Sequence, residues 1–319
     1  MGRTPVTNSL TTPELPGVAL ARSVLDRAAE RRSDPDLLGS LVADPGTRVL
    51  TRVGDAAEVG EDAAGPTLLL RAPTPADATR LGLFLGSDGD GAAYLAVLDD
   101  AADDGDARDL RTLRQVGADL GDLDASLLTT GLGLANWHRA HTHCPRCGAA
   151  TRPEQGGWLR RCTEDGSEHY PRTDPAVIMS VVDEDDRLLM ARGAGWGEGR
   201  YSVLAGFVEP GETLEAAVTR EVREEVGVEV AEVRFLGDQP WPFPTSIMLG
   251  FTARALGTEL TLQDSEIADA RWFTRDELLA RVASGELFTS PRLSISRWLV
   301  EHWLGREITP PPVDVSRRG

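Results

Sequence analysis

A run of glutamates in residues 206–228 (GFVEPGETLEAAVTREVREEVGV) carries the clearest chemical signal in this 319-residue sequence. At about 100° of rotation per residue, Glu221, Glu224 and Glu225 fall on one face of a helix. Three carboxylates this close repel one another, and hard cations such as Mg²⁺ or Mn²⁺ remove that penalty. The alternative is an acidic helix face that is simply exposed to solvent, which is the usual role of a run of charged residues. Glycines around Glu212 in the preceding loop would let the backbone approach the carboxylates, which favours a metal site.

The three cysteines form a second cluster. Cys144 and Cys147 make a CxxC pair, and Cys162 follows after fourteen residues. An odd number of cysteines so close together indicates a metal site rather than a disulfide framework. Tetrahedral Zn²⁺ needs a fourth ligand, for which Asp165 has the right spacing and His169 is the softer ligand type. Such a closed site would be structural, and the alternative is a decayed ribbon that keeps its fold without metal.

The third signal is the segment DQPWPFPTS at 238–246, where three prolines alternate with Trp241 and Phe243. Proline fixes the backbone, so the segment is stiff and costs little entropy to order on binding. It could offer aromatic faces and the Gln239 amide to a planar ring. The alternative is a rigid loop that packs its aromatics into the core.

The elements that must position these residues follow from hydrophobic periodicity. A helix is predicted from Leu214 to Val226, anchored by the apolar stripe Leu214, Val218, Val222 and Val226 and ended by Gly227. Strands are predicted at 176–182 and 187–192 as a hairpin, at 201–206, and in three later segments before a helix at 275–284. The Gly-rich stretch 193–199 lacks the Lys-Ser/Thr of a phosphate-binding loop and is interpreted as a connector.

The N-terminal third predicts strands at 47–53, 67–72, 81–86 and 92–98, the last two as a hairpin, and a helix at 123–139. The acidic, Gly-rich stretches 54–65 and 99–108 are expected to be exposed loops. The resulting fold class is α/β, with four parts along the chain. They are an N-terminal α/β domain at 1–140, a Cys-containing module at 141–172, a catalytic α/β domain at 173–308 and a disordered tail at 309–319.

The balance of acidic and basic residues limits which molecules the protein can bind. With 51 acidic against 33 basic residues and a net charge of -18, the surface repels extended nucleic acid and anionic membrane. No apolar run is long enough to span a bilayer, and the N-terminus lacks a signal-peptide pattern, so a cytoplasmic protein is expected.

Residues 206–228 resemble the Nudix box, G-x5-E-x7-R-E-U-x-E-E-x-G-U, at every specified position. The resemblance implies an α/β/α sandwich with a mixed sheet, and hydrolysis of the pyrophosphate bond of a nucleoside diphosphate derivative. It implies Mg²⁺ or Mn²⁺ held by Glu221, Glu225 and the Ala205 carbonyl, with Glu224 or Glu225 as general base. Arg220 is expected to orient a glutamate. Glu266, in SEIADARWF, is the candidate for a further metal ligand.

The segment at 238–246 follows the Nudix box in the sequence. It resembles the SQPWPFPxS array of the NADH pyrophosphatase subfamily, with Asp238 in place of the usual Ser. That subfamily carries a zinc ribbon and an N-terminal Nudix-like domain. The resemblance implies hydrolysis of NADH and NAD⁺ to a nicotinamide mononucleotide and AMP, removal of NAD caps from RNA 5′ ends, and a homodimer. It implies substrate contacts from Tyr170, Phe207, Gln239, Pro240, Trp241, Pro242, Phe243, Pro244, Thr245, Ser246 and Ser296.

Two other functions stay open from the sequence. One is a broader Nudix hydrolase that acts on ADP-ribose or dinucleoside polyphosphates. The other is a zinc-ribbon RNA-binding protein with a relic Nudix domain, suggested by the basic character of the ribbon. Relics generally lose box glutamates, and all of them are present in this sequence.

Overall fold

The computed structural model describes residues 17–99, 108–262 and 266–309. The chain divides into two compact units. We call residues 19–175 and 239–248 the ribbon unit, and residues 17–18, 176–238 and 249–309 the glutamate unit. No helix in the described ranges is both long and apolar enough to cross a membrane.

The ribbon unit is built on a sheet with strand order β3-β2-β1-β5-β4, to which β6 adds by pairing with β2. Strands β1 and β5 are parallel, and β4 returns antiparallel to β5 as the sequence predicts. The strands are β1 Arg48–Val53, β2 Ala56–Asp62, β3 Gly65–Leu68, β4 Gly82–Ser87, β5 Ala93–Asp99 and β6 Leu110–Thr112.

Three α-helices, three short 3-10 helices at Ala29–Ser33, Pro75–Thr79 and Gln155–Gly157, and a small antiparallel sheet complete the described part of this unit. The helices are α1 Leu37–Ala43, α2 Leu113–Val116 and α3 Asp122–Ala140. Helix α3 packs on the large sheet closely enough that a side chain at Gly131 would touch Arg52 and Leu50. The small sheet, order β7-β8-β9, forms the Cys-containing module from β7 Thr151–Glu154, β8 Leu159–Cys162 and β9 Glu168–His169.

The glutamate unit is centred on a second sheet with strand order β13-β14-β10-β11-β15, to which β12 adds by pairing antiparallel with β10. Strands β10 and β11 form the predicted hairpin. The strands are β10 Asp174–Val182, β11 Leu188–Gly193, β12 Leu204–Phe207, β13 Val230–Trp241, β14 Ser246–Ala255 and β15 Ile267–Phe273.

Each of the three helices of this unit begins at a hydroxyl side chain and ends at a glycine. They are α4 Leu214–Val226, α5 Arg275–Ser284 and α6 Ile295–Leu304. In α4 the Thr213 hydroxyl accepts a hydrogen bond from the Ala216 amide, and Gly227 ends the helix with φ 74°. Val218, Val222 and Val226 are fully buried against the sheet, which leaves the opposite, charged face of α4 free for chemistry.

Most predicted elements are confirmed, including the exact bounds of α4 and α5. The loop predicted at 54–65 is wrong, because residues 56–62 form β2 with Ala57 and Val59 buried. Helix α6 was not predicted. The tail at 309–319 beyond Thr309, and residues 100–107 of the second expected loop, lie outside the described residues.

Candidate active site

Gly206, the first residue of the glutamate motif, allows the side chain of Glu221 to approach the backbone of β12. A Cβ atom at position 206 would lie 1.9 Å from the Glu221 carboxyl carbon and about as close to both oxygens. No side chain larger than hydrogen fits there without displacing that carboxylate. The glycine of the motif is therefore a packing requirement of the carboxylate that α4 presents to Ala205 and Gly206.

Arg220 holds three glutamates of the motif in one network. Its guanidinium donates to Glu212 at 2.6 Å, to Glu221 at 2.8 Å and to Glu224 at 3.1 Å. It also donates to the Phe207 carbonyl at 2.9 Å, which ties α4 to β12. The Glu212 carboxylate accepts from Arg220 and from the Glu209 amide, and the arginine holds the pKa of Glu212 below its usual range. Arg220 therefore contacts the glutamates that it is predicted to orient, and that role stays a prediction.

Glu225 is the most buried of these carboxylates, with 9% of the residue exposed. One of its carboxyl oxygens has no hydrogen-bond partner among the described residues. Burial raises the pKa of Glu225 to about 8, and the negative charges of Glu221 and Glu266 act in the same direction. Burial also raises the pKa of Glu221. A buried, unpartnered carboxylate among like charges takes up a proton near neutral pH unless a cation compensates its negative charge.

A cavity of about 250 Å³ lies beside these groups, lined by Ala205, Glu225 and Glu266 together with Trp196 and Ser202. Three of the four predicted metal ligands therefore meet at one cavity, and Glu221 acts electrostatically on two of them. Their donor set of carboxylate and carbonyl oxygens is the one that Mg²⁺ and Mn²⁺ prefer. The residues fit a divalent metal, and the orphaned Glu225 oxygen is the observation that supports it.

The Cys-containing module gathers Cys144, Cys147, Cys162 and Asp165, whose ligand atoms all lie within 4.8 Å of one another. The cysteines are free thiols, and the sulfurs of Cys147 and Cys162 are 3.4 Å apart. His169 instead contacts the Ser167 hydroxyl at 3.2 Å. Three thiolates and one carboxylate suit tetrahedral zinc, so the geometry supports Asp165 over His169 as the fourth ligand.

Comparison with protein families matches a NUDIX domain to residues 172–292 and an NADH pyrophosphatase zinc ribbon domain to residues 139–170. The chain is 42% identical over 226 residues to "NAD-capped RNA hydrolase NudC" of Mycobacterium bovis (strain BCG / Pasteur 1173P2), which covers 67% of this chain and 72% of that protein. The chain belongs to the Nudix hydrolases, in the NADH pyrophosphatase subfamily.

A human relative extends the similarity outside bacteria. "NAD-capped RNA hydrolase NUDT12" of Homo sapiens is 40% identical over 197 residues, which cover 58% of this chain and 43% of that protein. The predicted α/β class, with a Nudix domain and a zinc ribbon, is therefore confirmed for this Nudix hydrolase.

Two predicted substrate contacts of the glutamate unit, Phe207 and Ser296, differ in how exposed they are. Phe207 is 61% exposed, directly after the box glycine, and is free to stack on a ring. Ser296 is buried, and its hydroxyl lies 2.7 Å from that of Ser202 and 3.0 Å from that of Ser290. Ser202 lines the cavity, and Ser296 contacts Ser202 without lining the cavity itself. Contact of Ser296 with the substrate stays a prediction.

In the ribbon unit, the QPWPFP segment is held as one rigid piece. The Asn136 amide donates to the carbonyls of Pro242 at 2.9 Å and Pro244 at 3.0 Å. The rings of Trp241 and Phe243 meet edge to face, 4.9 Å between centroids. The Arg114 guanidinium lies 3.8 Å from the Phe243 ring centroid and 5.5 Å from that of Trp241, so both rings already have a cation partner.

Other predicted residues of the ribbon unit lie around this segment. Gln239 is fully buried, whereas Tyr170 is 61% exposed and its hydroxyl donates to Glu168. Thr245 donates to the Asp174 carboxylate at 2.9 Å. Pro240, Trp241, Pro242, Thr245 and Ser246 share the lining of one cavity.

Sequence reasoning missed two residues beside the glutamates. Trp196, in the Gly-rich stretch read as a connector, lines the cavity with Glu225, and its ring packs on Gly193. The sequence signal that could have identified Trp196 is a tryptophan within a glycine-rich loop. Ser202 gave none, because its hydroxyl partners Ser290 and Ser296 come from distant parts of the chain.

Proposed function

We propose that this Nudix hydrolase cleaves the pyrophosphate bond of NADH and NAD⁺ to give a nicotinamide mononucleotide and AMP. We propose that it also removes NAD caps from RNA 5′ ends. The observation that carries the proposal is the buried Glu225 carboxylate, unpartnered at one oxygen among the described residues and facing the cavity that Glu266 and Ala205 share. Relatives named NAD-capped RNA hydrolase support the substrate class.

The reaction adds one water to a phosphorus atom and breaks its bond to the bridging oxygen, which leaves with the second nucleotide. Mg²⁺ or Mn²⁺, held by Glu221, Glu225, Glu266 and the Ala205 carbonyl, would neutralise charge on the two phosphates and acidify the attacking water. Arg220 keeps Glu221 oriented through the 2.8 Å hydrogen bond. Phe207 is available to stack on a ring of the substrate.

One of the two glutamates left as candidate bases is better placed to accept the proton of the water. Glu225 lines the cavity, where its carboxylate would bind the metal through one oxygen and leave the other to take the proton. The Glu224 side chain is 51% exposed and held by Arg220. We therefore assign proton acceptance to Glu225 and a supporting electrostatic role to Glu224.

Zinc in the cysteine site would have a structural role, because four protein ligands leave no open position for a substrate. The free thiols are consistent with a reducing compartment, and we propose a cytoplasmic enzyme. A homodimer is proposed on the resemblance to the subfamily alone. Product analysis by mass spectrometry separates the substrates, with NADH, NAD⁺, ADP-ribose and NAD-capped RNA each supplied with Mg²⁺ or Mn²⁺.

The proposal predicts equimolar AMP and nicotinamide mononucleotide from the free dinucleotides. From capped RNA it predicts 5′-monophosphorylated RNA and nicotinamide mononucleotide. Intact NADH and NAD⁺ after incubation with either metal would contradict it. Turnover of ADP-ribose alone would instead support the broader Nudix activity.

A further inference from the structure

Two exposed aromatic rings lie on neighbouring segments of the glutamate unit. Trp196, in the loop between β11 and β12, is 40% exposed, and Phe288, in the segment that follows α5, is 53% exposed. Trp196 also lines the cavity that contains Glu225 and Glu266. Exposed apolar side chains that lie close together mark interaction sites more often than single ones do, so we examined what else shares this surface.

Backbone hydrogen bonds hold the loop that carries the tryptophan at both of its ends. The Phe288 amide donates to the Gly199 carbonyl at 2.8 Å, which brings Phe288 beside Arg200. At the other end, the Ala194 amide donates to the Glu266 carbonyl at 2.8 Å. Because the loop is anchored in this way, its exposed ring costs little entropy to order when a partner binds.

Two arginines bring positive charge to the same surface. The Arg200 guanidinium carbon lies 5.2 Å from the Trp196 ring centroid, and the Arg192 guanidinium donates to the Trp196 carbonyl at 3.4 Å. Neither arginine forms an ion pair within the described part of the chain. Asp269 faces Arg192 across strands β11 and β15, but its carboxylate accepts from Arg271 at 2.7 Å instead. Both guanidiniums are therefore available to an anionic partner.

We call Arg192, Trp196, Arg200 and Phe288 the Trp196 patch. Exposed rings beside guanidiniums are the combination that proteins use for single-stranded nucleic acid, because the rings stack on bases and the cations pair with phosphates. Two exposed acids of the same segments, Glu198 and Glu286, keep the electrostatic attraction modest. Stacking must therefore supply much of the affinity, which favours a single strand with free base faces over a duplex.

We propose that the Trp196 patch binds the single-stranded RNA that follows the NAD cap. Its two rings stack on the first bases after the cap, and its two arginines bind the phosphates between them. The inference rests on the proposed function, which supplies a capped RNA as substrate. Continuity gives the position, because Trp196 lines the cavity in which the pyrophosphate would be cut. The patch binds the RNA chain, and no catalytic step is assigned to it.

The test uses Phe288→Ala and Arg200→Gln in the full-length protein, because neither residue lines the catalytic cavity. Leu256→Ala and Arg234→Gln are the matched controls, since they change an exposed apolar side chain after β14 and an exposed arginine on β13. Steady-state kcat/KM is measured with NAD⁺ and with a short NAD-capped RNA. Fluorescence anisotropy with 5′-monophosphorylated RNA of the same sequence gives a Kd that does not depend on turnover.

Loss of a stacked base or of a phosphate contact predicts that each variant lowers kcat/KM for capped RNA, and raises the Kd for monophosphorylated RNA, about fivefold or more. The value of kcat/KM for NAD⁺ stays within about twofold, as do all three values in the controls. In Arg200→Gln the slope of log Kd against log salt concentration falls in magnitude by about 0.7, the contribution of one phosphate contact to a single strand. Arg200→Lys restores that slope.

Values for the two RNAs that match those of the control variants would overturn the proposal. Equal losses for NAD⁺ and capped RNA would also overturn it, because the patch would then act on the cavity rather than on the RNA chain. If the wild-type enzyme cleaves neither substrate, the proposed function fails, and the anisotropy comparison still decides whether the Trp196 patch binds RNA.

Discussion

Gly206 gives the most local prediction of the active site. In Gly206→Ala the new Cβ would overlap the Glu221 carboxyl group, from which it would lie 1.9 Å. Glu221 must then leave its position, and misplacement by about 1 Å costs on the order of 100-fold in rate. We expect kcat for NADH to fall by about that factor, measured by steady-state kinetics.

Gly197→Ala is the matched control, because a Cβ at 197 would meet nothing within 4 Å. It should keep near wild-type kcat. Equal activity of the two alanine variants would show that Glu221 does not need its observed position.

Glu225→Gln separates catalysis from stability. Without divalent metal, burial and the charges of Glu221 and Glu266 raise the pKa of Glu225 to about 8, so its carboxyl is mostly neutral at pH 7 and Tm should change little there. Above pH 8 the substitution removes a buried, repelled charge, and Tm should rise. It also removes the proposed base and metal ligand, so kcat should fall by at least about 100-fold. Kinetics and thermal denaturation in the same buffer provide both values.

Glu224→Gln is the companion variant, since that side chain is half exposed and its ion pair among the described residues is with Arg220. Its loss of activity should be clearly smaller. Full activity of Glu225→Gln, or a larger defect in Glu224→Gln, would reverse the assignment of the two glutamates.

At the scale of single residues, the sequence predicts which glutamates lie together but not which residues from other segments contact them. The glutamates and Arg220 stand at a fixed spacing, and helical geometry places them on one face without further information. The contact between Gly206 and Glu221, and the hydroxyl cluster of Ser202 and Ser296, join segments that only the folded sheet brings together. Long-range contacts of this kind leave no local pattern in a sequence.

The zinc ribbon gives a prediction at the scale of an element. Asp165→Ala removes the carboxylate that lies within 4.8 Å of the three cysteine sulfurs and that we propose as the fourth ligand, so bound zinc per chain should fall and Tm should drop by about 5 °C or more. His169→Ala should keep both values, because His169 contacts Ser167 instead. Metal analysis by mass spectrometry and thermal denaturation test this.

Asp165→Cys should bind zinc at least as tightly as wild type, since thiolate is the softer donor. Wild-type zinc content in Asp165→Ala, with loss in His169→Ala, would reverse the choice of the fourth ligand.

Elements were predictable where one face is apolar and both ends carry a signal. Helix α4 has a valine stripe, Thr213 at its start and Gly227 at its end, and its bounds were predicted exactly. Strand β2 was missed because its acidic residues suggest a loop, although Ala57 and Val59 alternate inward. Helix α6 carries the same signals in the cap Ser294, the buried Leu299 and the terminal Gly305, although it is not among the predicted elements.

The stability of the whole molecule should depend on His138 in acid. Nε2 donates to the Gly157 carbonyl and Nδ1 accepts from Arg160, each at 2.8 Å, so the folded state needs the neutral ring. Burial, assisted by the charge of Arg160, lowers the pKa of His138 from 6.5 to about 4. The unfolded chain therefore binds this proton more readily, and stability falls as pH drops from 6.5 towards 4.

The full effect is on the order of 3 kcal/mol at and below the folded-state pKa. Chemical denaturation at pH 7 and pH 5 should show a larger loss of unfolding free energy for wild type than for His138→Gln, which cannot titrate. Parallel losses in the two proteins would contradict a neutral, buried His138.

The net charge of -18 determines how the whole molecule can bind a negatively charged substrate. An acidic surface repels phosphate compounds, so binding of any such substrate should depend on cations at the glutamates. Removal of divalent metal with EDTA should abolish turnover of NADH, and added Mg²⁺ or Mn²⁺ should restore it. Turnover that persists after EDTA treatment would contradict a metal-dependent reaction.

The central claim is that this Nudix hydrolase acts on a nicotinamide dinucleotide, and the ratio of kcat/KM for NADH to that for ADP-ribose tests it most directly. Both compounds contain a pyrophosphate and an adenosine, so only recognition of the nicotinamide end separates them. We predict a ratio of about ten or more. A ratio below one would contradict the account and identify a broader Nudix pyrophosphatase.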